Sequence, residues 1–319
     1  MSIKELKNHL PSELIDILEK IYTKGQLDMI YRSFYNGRHI SFRVNGIKGN
    51  TNEVIDELRN KKIKAVNHQL IKNAFIIDDR KESELRNLES YVQGKIYISN
   101  ISSMLPPLSL ELEEDNIILD MCATPGDKSL FIADLTNNKA TILSNDDNEI
   151  RRERLNDDIN KYGASCIISF GSDACTIGKR LNKYFDRILL NAPCSVEGTY
   201  KYNSNKSFNN WSKKNISIYS KLQKNLIDSA YNALKPGGII VYSTCALNPY
   251  ENEEVINYIL EKYKDLHLER INIDLDNVIS GLIEYDEVKY NEELKNSIRI
   301  IPNDYMEGVF IAKLVKDKE

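Results

Sequence analysis

Residues 116–128 read NIILDMCATPGDK, and residues 129–135 continue as SLFIADL. An unbroken apolar run, Ile117-Ile118-Leu119, gives way to a turn of small residues and then to apolar residues at helical spacing. Strand, tight turn, helix is the opening unit of a parallel α/β sheet, in which ligands bind beyond the carboxyl ends of the strands and backbone amides at the helix start approach them closely. The alternation continues outward. Apolar runs at 140–143, 166–170, 187–190 and 239–242 are separated by helical patterns at 148–162, 217–234 and 251–263. Strands alternating with helices predict a doubly wound, mostly parallel sheet.

Residues 268–273 and 309–315 are strand-like without a strong helical pattern between them, which predicts an antiparallel pair closing the sheet. A mostly parallel, Rossmann-like sheet with a terminal antiparallel hairpin is the architecture expected of a class I methyltransferase. Upstream, Leu14, Ile17, Leu18, Ile21, Leu27 and Ile30 fall at helical spacing, so residues 1–35 read as short helices. A strand-like segment follows at 39–44. Asn50-Thr51-Asn52-Glu53 then places a capping residue three before a glutamate, ahead of Val54, Ile55 and Leu58, which marks a helix start. The simplest division is a small α+β domain over 1–95 and a larger α/β domain over 96–319.

The chain has 319 residues, 41% hydrophobic and 28% charged, with a formal net charge of −4, an ordinary globular profile. No run of eighteen uncharged apolar residues and no signal-peptide pattern is present, so a cytoplasmic protein that avoids membranes is expected. The five cysteines, Cys122, Cys166, Cys175, Cys194 and Cys245, are scattered, with none at the C-x-x-C spacing of a zinc site or redox dithiol, so no metal is expected. The acidic balance argues against a surface that grips polyanions everywhere but allows a local basic groove. Basic clusters at 61–64, 151–154, 179–180 and 201–214 are each most simply a solvated face.

Neither G-x-G-x-x-G nor G-x-x-x-x-G-K-[ST] occurs, so an adenosine-bearing cofactor in the turn after Asp120 would be neither a dinucleotide nor a nucleoside triphosphate. The second strand ends at Ser144-Asn145-Asp146, where an acidic side chain can accept both hydroxyls of a ribose; Asp146-Asp147 could equally open the next helix. Cys194, in Asn191-Ala192-Pro193-Cys194-Ser195, and Cys245, in Ser243-Thr244-Cys245, each follow an apolar strand. A single such cysteine is most simply a small buried hydrophobe, but two in equivalent positions on neighbouring strands favour chemistry.

The stretches DMCATPGDKS, NAPCSVEGT and KPGGIIVYSTCALNPYENEE, with weaker likeness in SFRVN, YISNISSMLPPLSL and GVFIAKL, make the chain resemble the Nol/Nop/Sun RNA cytosine-5 methyltransferases from about Arg43 onward. The resemblance implies methyl transfer from S-adenosyl-L-methionine to carbon 5 of cytosine in RNA. Cys245 would add as a thiolate to carbon 6, because carbon 5 is a poor nucleophile until the ring carries a covalent adduct. Cys194 would assist release. Cys122, Ala123, Thr124, Pro125, Gly126, Asp127 and Lys128 would wrap the methionine end of the cofactor, Asp146 would hold its ribose, and Asp173 would lie near its adenine. The target base would leave its stack to react, and the amino-terminal module would resemble the family's small RNA-recognition-like domain. Likeness to the compact archaeal enzymes, with no room for the helical domain of bacterial ribosomal homologues, implies transfer RNA ahead of ribosomal RNA, and a monomer is expected.

Two positions depart from the family pattern. Asn191 stands where the family has an aspartate that contacts the ring and helps protonate nitrogen 3. Asp127 stands where glycine is commoner, and its charge near the cofactor carboxylate would need Lys128 to offset it. If these two changes disable the chemistry, the alternative is a non-catalytic RNA-binding or assembly factor with the same fold.

Overall fold

The computed structural model describes residues 3–36, 38–202, 208 and 211–318. The chain divides into two compact units: one of residues 39–191 and 229–241, the other of residues 1–38, 192–228 and 242–319.

The first unit begins with a four-stranded antiparallel sheet in the order β2-β3-β1-β4, formed by β1 (Ile40–Val44), β2 (Ala65–Asn67), β3 (Ala74–Ile77) and β4 (Ile96–Ile98). The helix Thr51–Asn60 covers it, and Asn50 caps that helix by accepting the Asn52 N–H, as the capping pattern predicts. Val54 and Leu58 from the helix meet Phe42, Phe75 and Ile96 from the sheet in one core. The helix Ile101–Leu108 was not anticipated, because Pro106 and Pro107 lie inside it and each removes a helical N–H; capping by Asn100 and burial of Ile101, Met104 and Leu105 sustain it.

Next come β5 (Ile117–Asp120), β6 (Thr141–Asn145), β7 (Ile167–Phe170) and β8 (Phe185–Asn191), of which β5 pairs in parallel with both β6 and β8, and β6 with β7. Ile118, Leu119, Ile142, Ile188, Leu189 and Leu190 are buried, consistent with a sheet covered on both faces. Because Asp120 pairs with Ser144 and with Leu189, the carboxyl ends of β5, β6 and β8 share one edge. The intervening helices Asp127–Leu135 and Glu149–Tyr162 fall where the periodicity put them.

β9 (Leu234–Thr244) starts five residues earlier than its apolar run, directly after the helix Lys213–Ala233. Its Gly237 has φ of +75°, and a Cβ on Gly238 would lie 2.9 Å from the Asp186 carbonyl oxygen, so Lys235-Pro236-Gly237-Gly238 enters the sheet as strand only because both glycines lack side chains. In the second unit β10 (Leu266–Glu269) pairs antiparallel with β15 (Val309–Lys316), as expected of the closing pair, but the first strand ends at Glu269 and shares only Leu268 and Glu269 with the expected 268–273. The closure is larger than one hairpin. β11 (Val278–Ser280) and β14 (Ile298–Ile300) extend it, and β12 (Glu284–Tyr285) pairs with β13 (Val288–Lys289) alone. Strands of two or three residues carry no readable alternation, so only their pairing reveals them. The large sheet runs β11-β14-β15-β9-β8-β5-β6-β7, the doubly wound Rossmann-like arrangement with an antiparallel end.

The helices Ile3–Lys7, Ser12–Ile21 and Lys24–Asn36 bury Leu14, Leu18, Ile30 and Phe34 against Phe208, Trp211 and Leu247 of the same unit. Arg299 and Glu253 form a buried ion pair beneath them, and Arg299 also donates to the Tyr22 hydroxyl at 3.0 Å and the Leu247 carbonyl at 2.8 Å. No described helix is long and apolar enough to cross a membrane.

Candidate functional site

At the strand edge of the first unit, Gly126 opens the helix Asp127–Leu135 in a left-handed conformation with φ of +102°. A Cβ there would meet Leu155 Cδ1 at 2.7 Å, so the turn requires glycine on both conformational and steric grounds. Asp120, only 1% exposed, accepts from the Ser129 hydroxyl at 2.6 Å, and that hydroxyl lies 2.8 Å from the Ser144 hydroxyl. This chain pins the helix start to the ends of β5 and β6. Burial pushes the Asp120 carboxyl up to about 6, against the opposing Ser129 hydrogen bond.

Asp146 follows the end of β6 and is nearly buried. It accepts from the Thr124 hydroxyl and from the Asn148 N–H at 2.9 Å, and forms an ion pair with the Arg151 guanidinium at 3.2 Å. The helix after β6 is capped by Asn148 rather than by Asp146 or Asp147, which leaves Asp146 directed to the loop that carries Thr124. Asp127 accepts from the Ser99 hydroxyl at 3.0 Å and lies 3.4 Å from the Lys128 ammonium, itself largely buried and 3.3 Å from the Ser103 hydroxyl. The charge that departs from the family pattern is therefore offset in place.

Asp173 accepts the Cys175 N–H at 2.9 Å and so caps a short 3-10 turn beyond β7. Asn145, to which the sequence assigned no role, donates to the Met121 carbonyl at 3.1 Å and accepts the Ser172 N–H at 2.9 Å, linking the loops after β5 and β7. Burial, then the charges of Asp120 and Asp146, pushes the Cys122 thiol far above its ordinary range, so Cys122 is a neutral lining group. A turn with a left-handed glycine at a helix start, a carboxylate acceptor after the next strand and a flanking ammonium together suit a ligand bearing a ribose and a carboxylate. Among the described residues no cluster of His, Cys, Asp and Glu could hold a metal ion.

The second unit holds the two cysteines of interest. Ala192 N–H donates to the Ser243 carbonyl at 2.9 Å, which joins the segment leading to Cys194 to the segment leading to Cys245. Burial raises the Cys194 thiol well above its usual value, and the neighbouring Cys245 and Glu251 raise it further. Cys194 is thus held as a thiol, whereas Asn191, three residues earlier, ends β8.

Behind the cysteines lies a polar network that sequence reasoning did not single out. Glu251 accepts from the Ser195 N–H at 3.0 Å, the Ser195 hydroxyl, Gln223 Nε2 at 2.9 Å and Asn248 Nδ2 at 2.8 Å. Gln223 also donates to the Pro193 carbonyl at 2.8 Å. Glu197 accepts from Trp211 Nε1 at 2.8 Å, the Leu247 N–H at 2.9 Å and the same Asn248 amide at 2.9 Å. Both carboxylates are fully buried, and each ties the segment around Cys194 to the segment after Cys245. Glu197 and Glu251 do lie inside the quoted motifs, but Gln223 and Trp211 carry no sequence signal.

The family model described as "16S rRNA methyltransferase RsmB/F" matches residues 107–315. The chain is 33% identical over its whole length to the "tRNA (cytosine(49)-C(5))-methyltransferase" of Pyrococcus abyssi, all of which it covers. It is 35% identical over 72% of its length to "Ribosomal RNA small subunit methyltransferase F" of Shewanella amazonensis, spanning about half of that relative (48%). A solved methyltransferase homologue from Pyrococcus horikoshii superposes with a TM-score of 0.79 at 30% identity, covering 96% of this chain and 99% of that one.

Proposed function

Because the chain belongs to the RsmB/F family of methyltransferases, we propose that it methylates carbon 5 of cytosine in RNA, with Cys245 as the nucleophile and Cys194 assisting release. The observation that carries this reading is the pair of cysteines, one after β8 and one after β9, whose segments are joined by the Ala192–Ser243 backbone hydrogen bond and by hydrogen bonds to the buried Glu251 and Glu197 carboxylates. Methylation by attack of an already nucleophilic atom needs no such pair. Addition to carbon 6 takes one thiolate, and its expulsion, once a base has removed the carbon 5 proton, leaves the second thiol a role in release.

S-adenosyl-L-methionine, when bound, supplies an electrophilic methyl group. Thr124, Gly126, Asp127 and Lys128, with Asp146, Asp173 and Cys122, are the residues proposed to hold it. Lys128 would meet a carboxylate, and Asp146 would exchange its Thr124 hydrogen bond for ribose hydroxyls. Asn191 can orient the ring by hydrogen bonding but has no proton to transfer. The four-stranded sheet of residues 40–98 is proposed as the module that holds the RNA strand. Transfer RNA is the proposed substrate, supported by full-length likeness to an archaeal enzyme named for transfer RNA, against partial likeness to ribosomal enzymes.

The test is methyl transfer from labelled cofactor to transfer RNA and to small-subunit ribosomal RNA. Cys245→Ala should abolish transfer, and Cys194→Ala should accumulate a covalent protein–RNA adduct. Full activity in Cys245→Ala would overturn the assignment of the nucleophile.

A further inference from the structure

We propose that Arg38 is a positioning residue that stabilises the Cys245 sulfur as a thiolate. This rests on the reading of Cys245 as the nucleophile and supplies what that reading lacks, a reason for a cysteine to be ionised at neutral pH. A free thiol is mostly protonated there, and a protein lowers that barrier by placing a cation beside the sulfur.

Arg38 stands just past the helix Lys24–Asn36, far in sequence from every motif of the site. Its guanidinium donates to the Gly198 carbonyl at 2.8 Å, the Met306 carbonyl at 3.0 Å and the Thr199 carbonyl at 3.4 Å. Gly198 in turn donates its N–H to the Cys245 carbonyl at 2.8 Å, so one glycine bridges the guanidinium and the nucleophile's own backbone. Gly308 N–H binds the same Gly198 carbonyl at 2.9 Å, and a Cβ on Gly198 would stand 2.0 Å from the Gly308 carbonyl oxygen. The close backbone approach therefore fixes the floor on which the guanidinium rests. Carbonyl partners position a guanidinium and leave its charge undiminished, and arginine stays protonated even when partly buried.

The charged surroundings support the assignment. Arg38 and Cys245 attract each other, Glu307 is the carboxylate acting on Arg38, and among the described residues Cys194 faces Cys245 while Glu251, Tyr200 and Tyr242 act on Cys194. Negative charge on Cys194 and on Cys245 is mutually disfavoured, whereas the Arg38 guanidinium favours it on Cys245. It also separates the two thiols by function: Cys194 is raised by burial and then by its neighbours, while Cys245 has the counter-ion.

The experiment measures iodoacetamide alkylation of Cys245 in the full-length protein, by peptide mass spectrometry, from pH 5.5 to 9.5. Arg38→Gln keeps hydrogen-bonding capacity and removes the charge; Arg38→Lys keeps the charge. The midpoint for Cys245 should rise in Arg38→Gln, lowering alkylation at pH 7 by about tenfold or more, with the same plateau at high pH, and should return towards the parent value in Arg38→Lys. An unchanged midpoint in Arg38→Gln, or an equal loss at every pH in both variants, would overturn the proposal. Alkylation does not require turnover. The midpoint therefore reports on Arg38 even if Cys245→Ala were to retain methyl transfer and the nucleophile proved to be another residue.

Discussion

Glu251→Gln tests the network behind the cysteines most directly. Burial, then the charge of Glu197, pushes the Glu251 carboxyl up to about 7 from an ordinary value of 4.5, against the hydrogen bonds from Ser195, Asn248 and Gln223. Between those two pH values the folded state holds a proton that the unfolded state has released, so stability falls as pH rises. This contribution is complete below pH 4.5 and lost as pH passes through about 7. At ~1.4 kcal/mol for each tenfold change in proton affinity, it amounts to about 3 kcal/mol.

Glutamine cannot titrate, so the variant lacks this slope. It also turns an amide N–H2 towards donors that now face a carboxylate oxygen, a fixed cost of about 1–3 kcal/mol. Urea unfolding of both proteins at pH 5 and pH 8 separates the two effects. The stability advantage of the parent over Glu251→Gln should be greater at pH 5 by up to about 3 kcal/mol. An equal advantage at both pH values, or a larger one at pH 8, would show that Glu251 is ionised throughout and would refute the reasoning. Because Glu251 holds the Ser195 N–H and reaches Pro193 through Gln223, the variant should also slow methyl transfer without loss of cofactor binding.

Three further outcomes follow from the same geometry. Arg299→Met strands the fully buried Glu253 carboxylate and should lower stability by ~3–5 kcal/mol in urea unfolding, whereas a loss within error of zero would mean that the pair is not desolvated. Gly198→Ala puts a methyl 2.0 Å from the Gly308 carbonyl oxygen; the two backbone segments must part, so a drop of ~1–3 kcal/mol by thermal unfolding is expected together with reduced methyl transfer. Asn191→Asp restores a group able to donate a proton to the ring and should raise the single-turnover rate of methyl transfer; an unchanged or slower rate would indicate that ring protonation does not limit the reaction.

The sequence by itself determined the alternation of strand and helix, the edge at which Asp120, Asn145 and Asn191 emerge, and the two cysteines that follow β8 and β9. These were legible because each is local. Apolar runs, caps and turn glycines act within a few residues, and a motif keeps its chemistry together along the chain. The helix Ile101–Leu108 and the short strands β11 and β14 were not legible, since prolines masked the first and the others exist only through their partners.

Tertiary structure alone decided the electrical state of the site. Whether Glu251 holds a proton depends on burial beside Glu197, through an Asn248 amide shared by both carboxylates. Whether Asp127 repels a ligand depends on Ser99 and Lys128. Arg38 acts on Cys245 because carbonyls about 160 and 270 positions away hold its guanidinium, those of Gly198, Thr199 and Met306. Interaction energy between charges depends on their distance and on how much water is excluded between them, and neither quantity is written in the spacing of residues along a chain.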